Sequence, residues 1–251
     1  MRPIQALTPA QGARCARAFQ LLAARDVAAA LALARPLAAE APRAPDAQHL
    51  LALCLAAAGD NTGADQAFAA ALALAPGQAV MLANRARFLR RCGRGEEALA
   101  CWTELCAGPA ASAEAWTERG LLAHALGRRE EARIALQTAT RLDPRSVRAW
   151  HGLGAVLRDL DQLPEAEAAL RQALALDNRA PALWASLGGV LRLLGRPESA
   201  AEAYVAAKRL GPVGPEVHEA EIGVLIDCLR IDEARDLGEA LVAALPDYEP
   251  A

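Results

Sequence analysis

Residues 149–177 read AWHGLGAVLRDLDQLPEAEAALRQALALD, and residues 182–212 read ALWASLGGVLRLLGRPESAAEAYVAAKRLGP. In the first stretch Trp150, Leu153, Val156 and Leu157 fall at helical spacing. A break follows at DLDQLPE, after which Ala166, Ala169, Leu170, Ala173 and Leu174 make a second helical face. The second stretch repeats the first. Trp150 aligns with Trp184, Leu153 and Gly154 with Leu187 and Gly188, Leu157 with Leu191, Ala166 with Ala200 and Leu170 with Tyr204, each at an offset of 34.

The same interval toward the N-terminus lands on Trp116, Gly120, Ala132, Leu136 and Pro144, then on Leu82, Ala86, Leu89, Ala98 and Trp102. Beyond these it meets Leu51, Ala52, Leu55, Ala64, Phe68 and Pro76, and then Arg17, Ala18, Leu21, Ala30 and Pro42. Toward the C-terminus it meets Ile222, Leu225, Ala234 and Pro246. Seven windows follow without an insertion: 11–44, 45–78, 79–112, 113–146, 147–180, 181–214 and 215–248. Residues 1–10 precede them as an N-terminal tail and 249–251 follow as a C-terminal stub. In TPAQ, Thr8 is placed to cap a helix that has Pro9 at its first position and Gln11 three residues after the cap, so Met1 to Leu7 lie ahead of it.

The spacing has a physical reason. Small residues such as Gly154 and Ala166 let two short helices approach, Trp150 and Leu170 fill the space beside them, and a proline such as Pro144 stops the second helix. One pair cannot bury its apolar faces alone, so successive pairs must stack.

A 34-residue period with this W-x2-L-G-x2-Y…A-x3-F…P spacing closely resembles the tetratricopeptide repeat family. The windows with Trp116, Trp150 and Trp184 match best, whereas the first and last carry Arg14 and His218 in place of the tryptophan, as terminal repeats do. The resemblance implies an all-α fold, a right-handed α-solenoid of about seven 34-residue helix-turn-helix repeats. It further implies that the first helices line a concave groove, with positions 2, 5, 6, 9, 12 and 13 of each window pointing into it. The residues of interest there are Asn84, Arg87, Arg90, Arg91, Glu118, Leu121, His124, Arg148, His151, Arg158 and Arg192. The family's chaperone-binding members hold a carboxylate with a Lys/Asn/Asn/Lys/Arg clamp, of which only Asn84, Arg87 and Arg91 have counterparts.

Composition agrees with an all-helical chain. Of 251 residues 54% are hydrophobic and 23% charged, enough for a large core, and aromatic residues are only 4% beside the strong helix formers. Lys208 is the one lysine, and the bias toward arginine and alanine is that of a GC-rich bacterial genome. The net charge of −3 offers no chain-wide positive field for a phosphate backbone, and the arginines cluster in too few windows for nucleic acid. No apolar leader precedes a small-residue cleavage site, and no stretch is long and apolar enough for a membrane span. The cysteines Cys15, Cys54, Cys92, Cys101, Cys106 and Cys228 form no CxxC pair, which suits reduced, buried thiols in the cytoplasm.

No nucleotide, metalloprotease or serine-hydrolase motif is present. His124 and His151 with Asp159 nearby could be imagined as a metal or acid/base site, but two groove histidines account for them, and we expect neither metal nor cofactor. Glu96-Glu97, Glu130-Glu131 and Asp232-Glu233 open second helices, where they complement the helix dipole. The expected activity is therefore non-enzymatic: a scaffold that holds an extended peptide or a partner helix. The alternative is the N-terminal region of a larger enzyme, since such repeats precede sulfotransferase or glycosyltransferase domains in some bacterial proteins. From Ala79 to Gly95 there are five arginines and no acid, which suits a partner with an acidic segment, while the last window holds nine acids and two arginines. Some of Leu225, Leu229, Leu237, Leu241 and Leu245 should form an exposed apolar patch, through which the chain would self-associate or which a continuing chain would cover.

Overall fold

The computed structural model describes residues 4–244, and every regular element among them is a helix. Fourteen helices follow one another. Repeat 1 holds α1 (Pro9–Ala23) and α2 (Val27–Glu40), repeat 2 α3 (Pro45–Ala58) and α4 (Asn61–Leu74), and repeat 3 α5 (Ala79–Arg91) and α6 (Gly95–Ala107). Repeat 4 holds α7 (Ala113–Ala125) and α8 (Arg129–Leu142), repeat 5 α9 (Val147–Asp159) and α10 (Leu163–Leu176). Repeat 6 holds α11 (Pro181–Leu193) and α12 (Pro197–Leu210), and repeat 7 α13 (Pro215–Asp227) and α14 (Ile231–Ala244).

The chain forms two compact units, one up to Ala115 and one from Trp116. In the first, α1 packs on α2, α3 on α4 and α5 on α6, and each pair stacks on the next. The second is built the same way from α9 to α14. In both units neighbouring first helices also touch one another, α1 with α3 and α3 with α5, α9 with α11 and α11 with α13. Among the described residues no two second helices make a comparable contact. Within each unit the first helices are thus the closely spaced row.

Three positions explain why the pairs form. Position 20 of every window is alanine, and Ala30, Ala64, Ala98, Ala132, Ala166 and Ala200 are fully buried, with Ala234 only 4% exposed. Positions 8 and 24 trade volume across each pair. A Cβ on Gly154 would stand 2.7 Å from Leu170 Cγ, one on Gly120 2.6 Å from Leu136 Cγ, and one on Gly188 3.0 Å from the Tyr204 ring. Repeat 7 reverses the sizes, with Gly238 opposite Ile222. The tryptophans tie each pair to the loop before it: the indole N–H of Trp150 donates to the Pro144 carbonyl and that of Trp184 to the Asn178 carbonyl, both at 2.9 Å.

The turn between paired helices has one strict demand. Position 15 lies in the left-handed region in every repeat, at Arg25, Gly59, Gly93, Gly127, Asp161, Gly195 and Leu229, with φ between +59° and +84°. Glycine meets this without cost in four repeats, whereas arginine and leucine do so against the clash of Cβ with the following carbonyl.

The entry to the first unit is capped as expected. The Thr8 hydroxyl accepts from the Gln11 amide and the Gln11 side chain accepts from the Thr8 amide, a reciprocal capping box. The tail is not free, however: the Gln5 amide donates to the Arg43 carbonyl at 3.0 Å, and Leu7 packs against the core of repeats 1 and 2. On α1, Ala13, Ala16, Arg17 and Gln20 are exposed, at the positions where α3 buries Ala47, Leu50 and Cys54 and half-buries Leu51. That edge of small and polar residues suits a terminal repeat. Leu245 and the C-terminal stub lie outside the described residues.

Candidate functional site

The first-helix face is organised by a ladder whose step is 35 residues, one more than the repeat, because neighbouring first helices pack with an offset of one residue. In the first unit Asn84 donates to His49 Nε2 at 3.1 Å, and the Arg91 guanidinium donates to the Ala56 carbonyl at 3.3 Å. In the second unit His124 Nε2 lies 2.8 Å from Asp159 Oδ2, His151 Nε2 2.9 Å from Ser186 Oγ, and Arg192 Nε 2.7 Å from Asp227 Oδ2. Every rung joins position 5 to position 6, or position 12 to position 13, of the next repeat.

This assigns most of the expected groove residues a partner within the protein. Arg148 reaches back to Glu118 at 2.6 Å, Arg158 pairs with its neighbour Asp159 at 2.9 Å, and Arg192 is engaged by Asp227. Leu121 lies over Gly152, where an added Cβ would meet its Cδ2 at 2.6 Å. The arginines nevertheless remain 41–53% exposed, so these pairs hold each side chain with about 0–1 kcal/mol and leave it open to competition. The histidines and Asp159, considered above as a metal or acid/base site, sit in separate rungs. Among the described residues no cluster of three His, Cys, Asp or Glu could hold a metal ion.

Electrostatics follow burial and pairing. Burial, reinforced in His151 by the positive charge of Arg158, lowers the pKa of His49 and of His151 below the ordinary 6.5. Burial pushes the Asp159 carboxyl up, but hydrogen bonds from His124 and Arg158 outweigh it and hold that carboxyl below the usual range. The thiol of Cys54 is pushed up to about 11 by burial, which makes it a poor nucleophile. Cys15, Cys54, Cys101 and Cys106 are buried free thiols, while Cys92 and Cys228 are only half-buried.

In the first unit the run of five arginines divides by function. Arg85 and Arg94 turn away to Asp65 on α4, at 3.4 and 2.5 Å. Arg87, Arg90 and Arg91 remain on the first-helix face and are exposed. Arg87 stands over the Trp102 ring at 5.6 Å and pairs with Glu114 at 3.0 Å. Beside it opens a cleft of about 210 Å³ whose lining includes Val80, Ala83, Trp102, Leu105 and Ala115. Val80 is 64% exposed there, an apolar contact available next to a cation. The sequence placed these arginines on the face but missed His49, Ser186 and Asp227. The signal for them is a polar pair at a spacing of 35.

Tetratricopeptide repeat models match residues 15–79, 113–146 and 151–215. The chain belongs to the tetratricopeptide repeat family. Among curated protein sequences none matches it. Solved tetratricopeptide repeat structures resemble it in fold. One from Parabacteroides merdae is 16% identical, with a TM-score of 0.69 over 95% of this chain and 98% of its own. MamA from Desulfovibrio magneticus RS-1 is 20% identical, with a TM-score of 0.63 over 68% of this chain and 97% of its own. YrrB, described as a TPR protein with an unusual peptide-binding site, is 20% identical, with a TM-score of 0.60 over 72% of this chain and 93% of its own. No helix among the described residues is long and apolar enough to cross a membrane.

Proposed function

We propose that this tetratricopeptide repeat protein is a non-enzymatic scaffold for protein–protein interaction, and that the first-helix face of its first unit binds an extended segment carrying an acidic residue beside an apolar one. The observation that carries this reading is the third repeat. There the exposed guanidiniums of Arg87 and Arg90 stand next to a cleft floored by Trp102 and Leu105. Arginine forks suit carboxylates. The pair of Arg87 with Glu114, exposed at both ends, is weak enough for an incoming carboxylate to replace Glu114. YrrB, which shares the fold, is likewise described as having a peptide-binding site.

The test is affinity capture from cell extract on the 251-residue chain and on Arg87→Glu with Arg90→Glu, read by mass spectrometry. The parent should enrich one or a few proteins that the double variant loses. Identical sets from the two would refute the assignment of the face.

A further inference from the structure

Repeat 7 carries an apolar face that no described helix covers. Its key residues on α14, Leu237 and Leu241, occupy the positions of Leu33 and Leu37 on α2. On α2 the face is closed by α3: Leu37 is fully buried in one cluster with Ala47, Leu50 and Cys54, and Leu33 and Leu51 pack against it. On α14, Leu237 and Leu241 are only half-buried, and the adjacent Val242 is 66% exposed. The two leucines line a hollow of about 430 Å³ together with Val213, Pro215, Ala240 and His218, the last in the place of the indole of repeats 4 to 6.

The rim of this face is acidic. From Pro215 to Ala244 there are eight acids and two arginines. Both arginines are held within α14 and its N-terminal turn, Arg230 by Glu233 at 2.5 Å and Arg235 by Asp232 at 2.7 Å. Glu216, Asp236 and Glu239 stand exposed around the leucines. We propose that this face docks a basic amphipathic helix of a partner protein. The helix would lay small and apolar residues on Leu237 and Leu241, as α3 does on Leu33 and Leu37, and set lysine or arginine against the rim. A second copy of this chain fits less well. The same face on another copy is equally acidic. The outer edge of α1, with Ala13, Ala16, Arg17 and Gln20 exposed, brings a single positive charge and, where α3 has Leu50 and Leu51, only Ala16 and Arg17.

The probe is a labelled peptide that copies the contact residues of α3, Ala47, Leu50 and Leu51 with alanine for Cys54, and carries lysine or alanine at the other positions. Two companions carry glutamate in place of lysine, or the same lysines with the leucines redistributed around the helix. In anisotropy titrations on the full chain, the lysine peptide should bind at least about tenfold more tightly than either companion and weaken with added salt. Leu237→Glu with Leu241→Glu should abolish binding, and Asp236→Lys with Glu239→Lys, at exposed positions that leave folding alone, should weaken it to a similar degree. Equal binding of the three peptides, or binding untouched by both double variants, would overturn the proposal. So would a dimer of the parent chain in light scattering that Asp236→Lys with Glu239→Lys dissociates, since the occupant would then be a second copy.

Discussion

Leu229 holds a left-handed backbone at φ +59°, the conformation that four other repeats give to glycine at the same place. An L side chain there costs roughly 1–2 kcal/mol relative to glycine, offset in part by the extra freedom of glycine in the unfolded chain. Leu229→Gly should therefore stabilise the protein by about 1 kcal/mol, and Gly127→Ala should destabilise it by a similar amount. Urea unfolding of the two variants checks this, and a loss of stability in Leu229→Gly would contradict it. His151 supplies a second test at the same scale. Its folded pKa is depressed by burial, so the unfolded chain takes up the proton first as pH falls. The stability it contributes is present in full above the ordinary 6.5 and is eroded as pH drops from there toward the depressed folded value. His151→Gln should make the melting temperature less sensitive to acid across that window, and an unchanged pH profile would show that this histidine does not supply the linkage.

At the scale of the helix pair, the apposition of α9 and α10 depends on a missing side chain. Gly154→Leu would drive new atoms into Leu170, at a cost of about 1–3 kcal/mol, and Gly154→Leu with Leu170→Ala should recover part of the loss because volume is restored. Gly238 facing Ile222 in repeat 7 is a natural version of that exchange. Such pairs are legible from sequence, because the period of 34 places the same small and large residues at the same interval in every window. The turn demand at position 15 is less legible, since Arg25, Asp161 and Leu229 carry no glycine to advertise it. The ladder is hidden for a different reason: its step of 35 is set by how neighbouring first helices slide past each other, and no single window contains both ends of a rung. Arg192 therefore reads as available for a ligand in the sequence, whereas in the fold Asp227 stands beside it.

For the whole molecule, the repeat pattern fixes where a ligand face can be, and charge decides what it takes. The first unit offers exposed arginines beside an apolar cleft, whereas repeat 7 offers leucines inside an acidic rim. Two faces of opposite character on one scaffold would let the protein hold two partners of opposite charge. The charge runs of the sequence locate both regions. They do not reveal that Arg85 and Arg94 belong to Asp65, because that depends on α4 and α5 lying side by side. The central claim is that the first-helix face of repeat 3 carries partner binding without carrying the fold. Its most direct test is the Kd of a captured partner for three proteins: the parent, Arg87→Glu with Arg90→Glu, and Arg129→Glu with Arg171→Glu on second helices as a control of equal charge change. The account predicts a loss of at least about tenfold for the first double variant alone, with its folding free energy changed by no more than about 1 kcal/mol. Equal losses in the two double variants, or a Kd unchanged from the parent in the first, would contradict it.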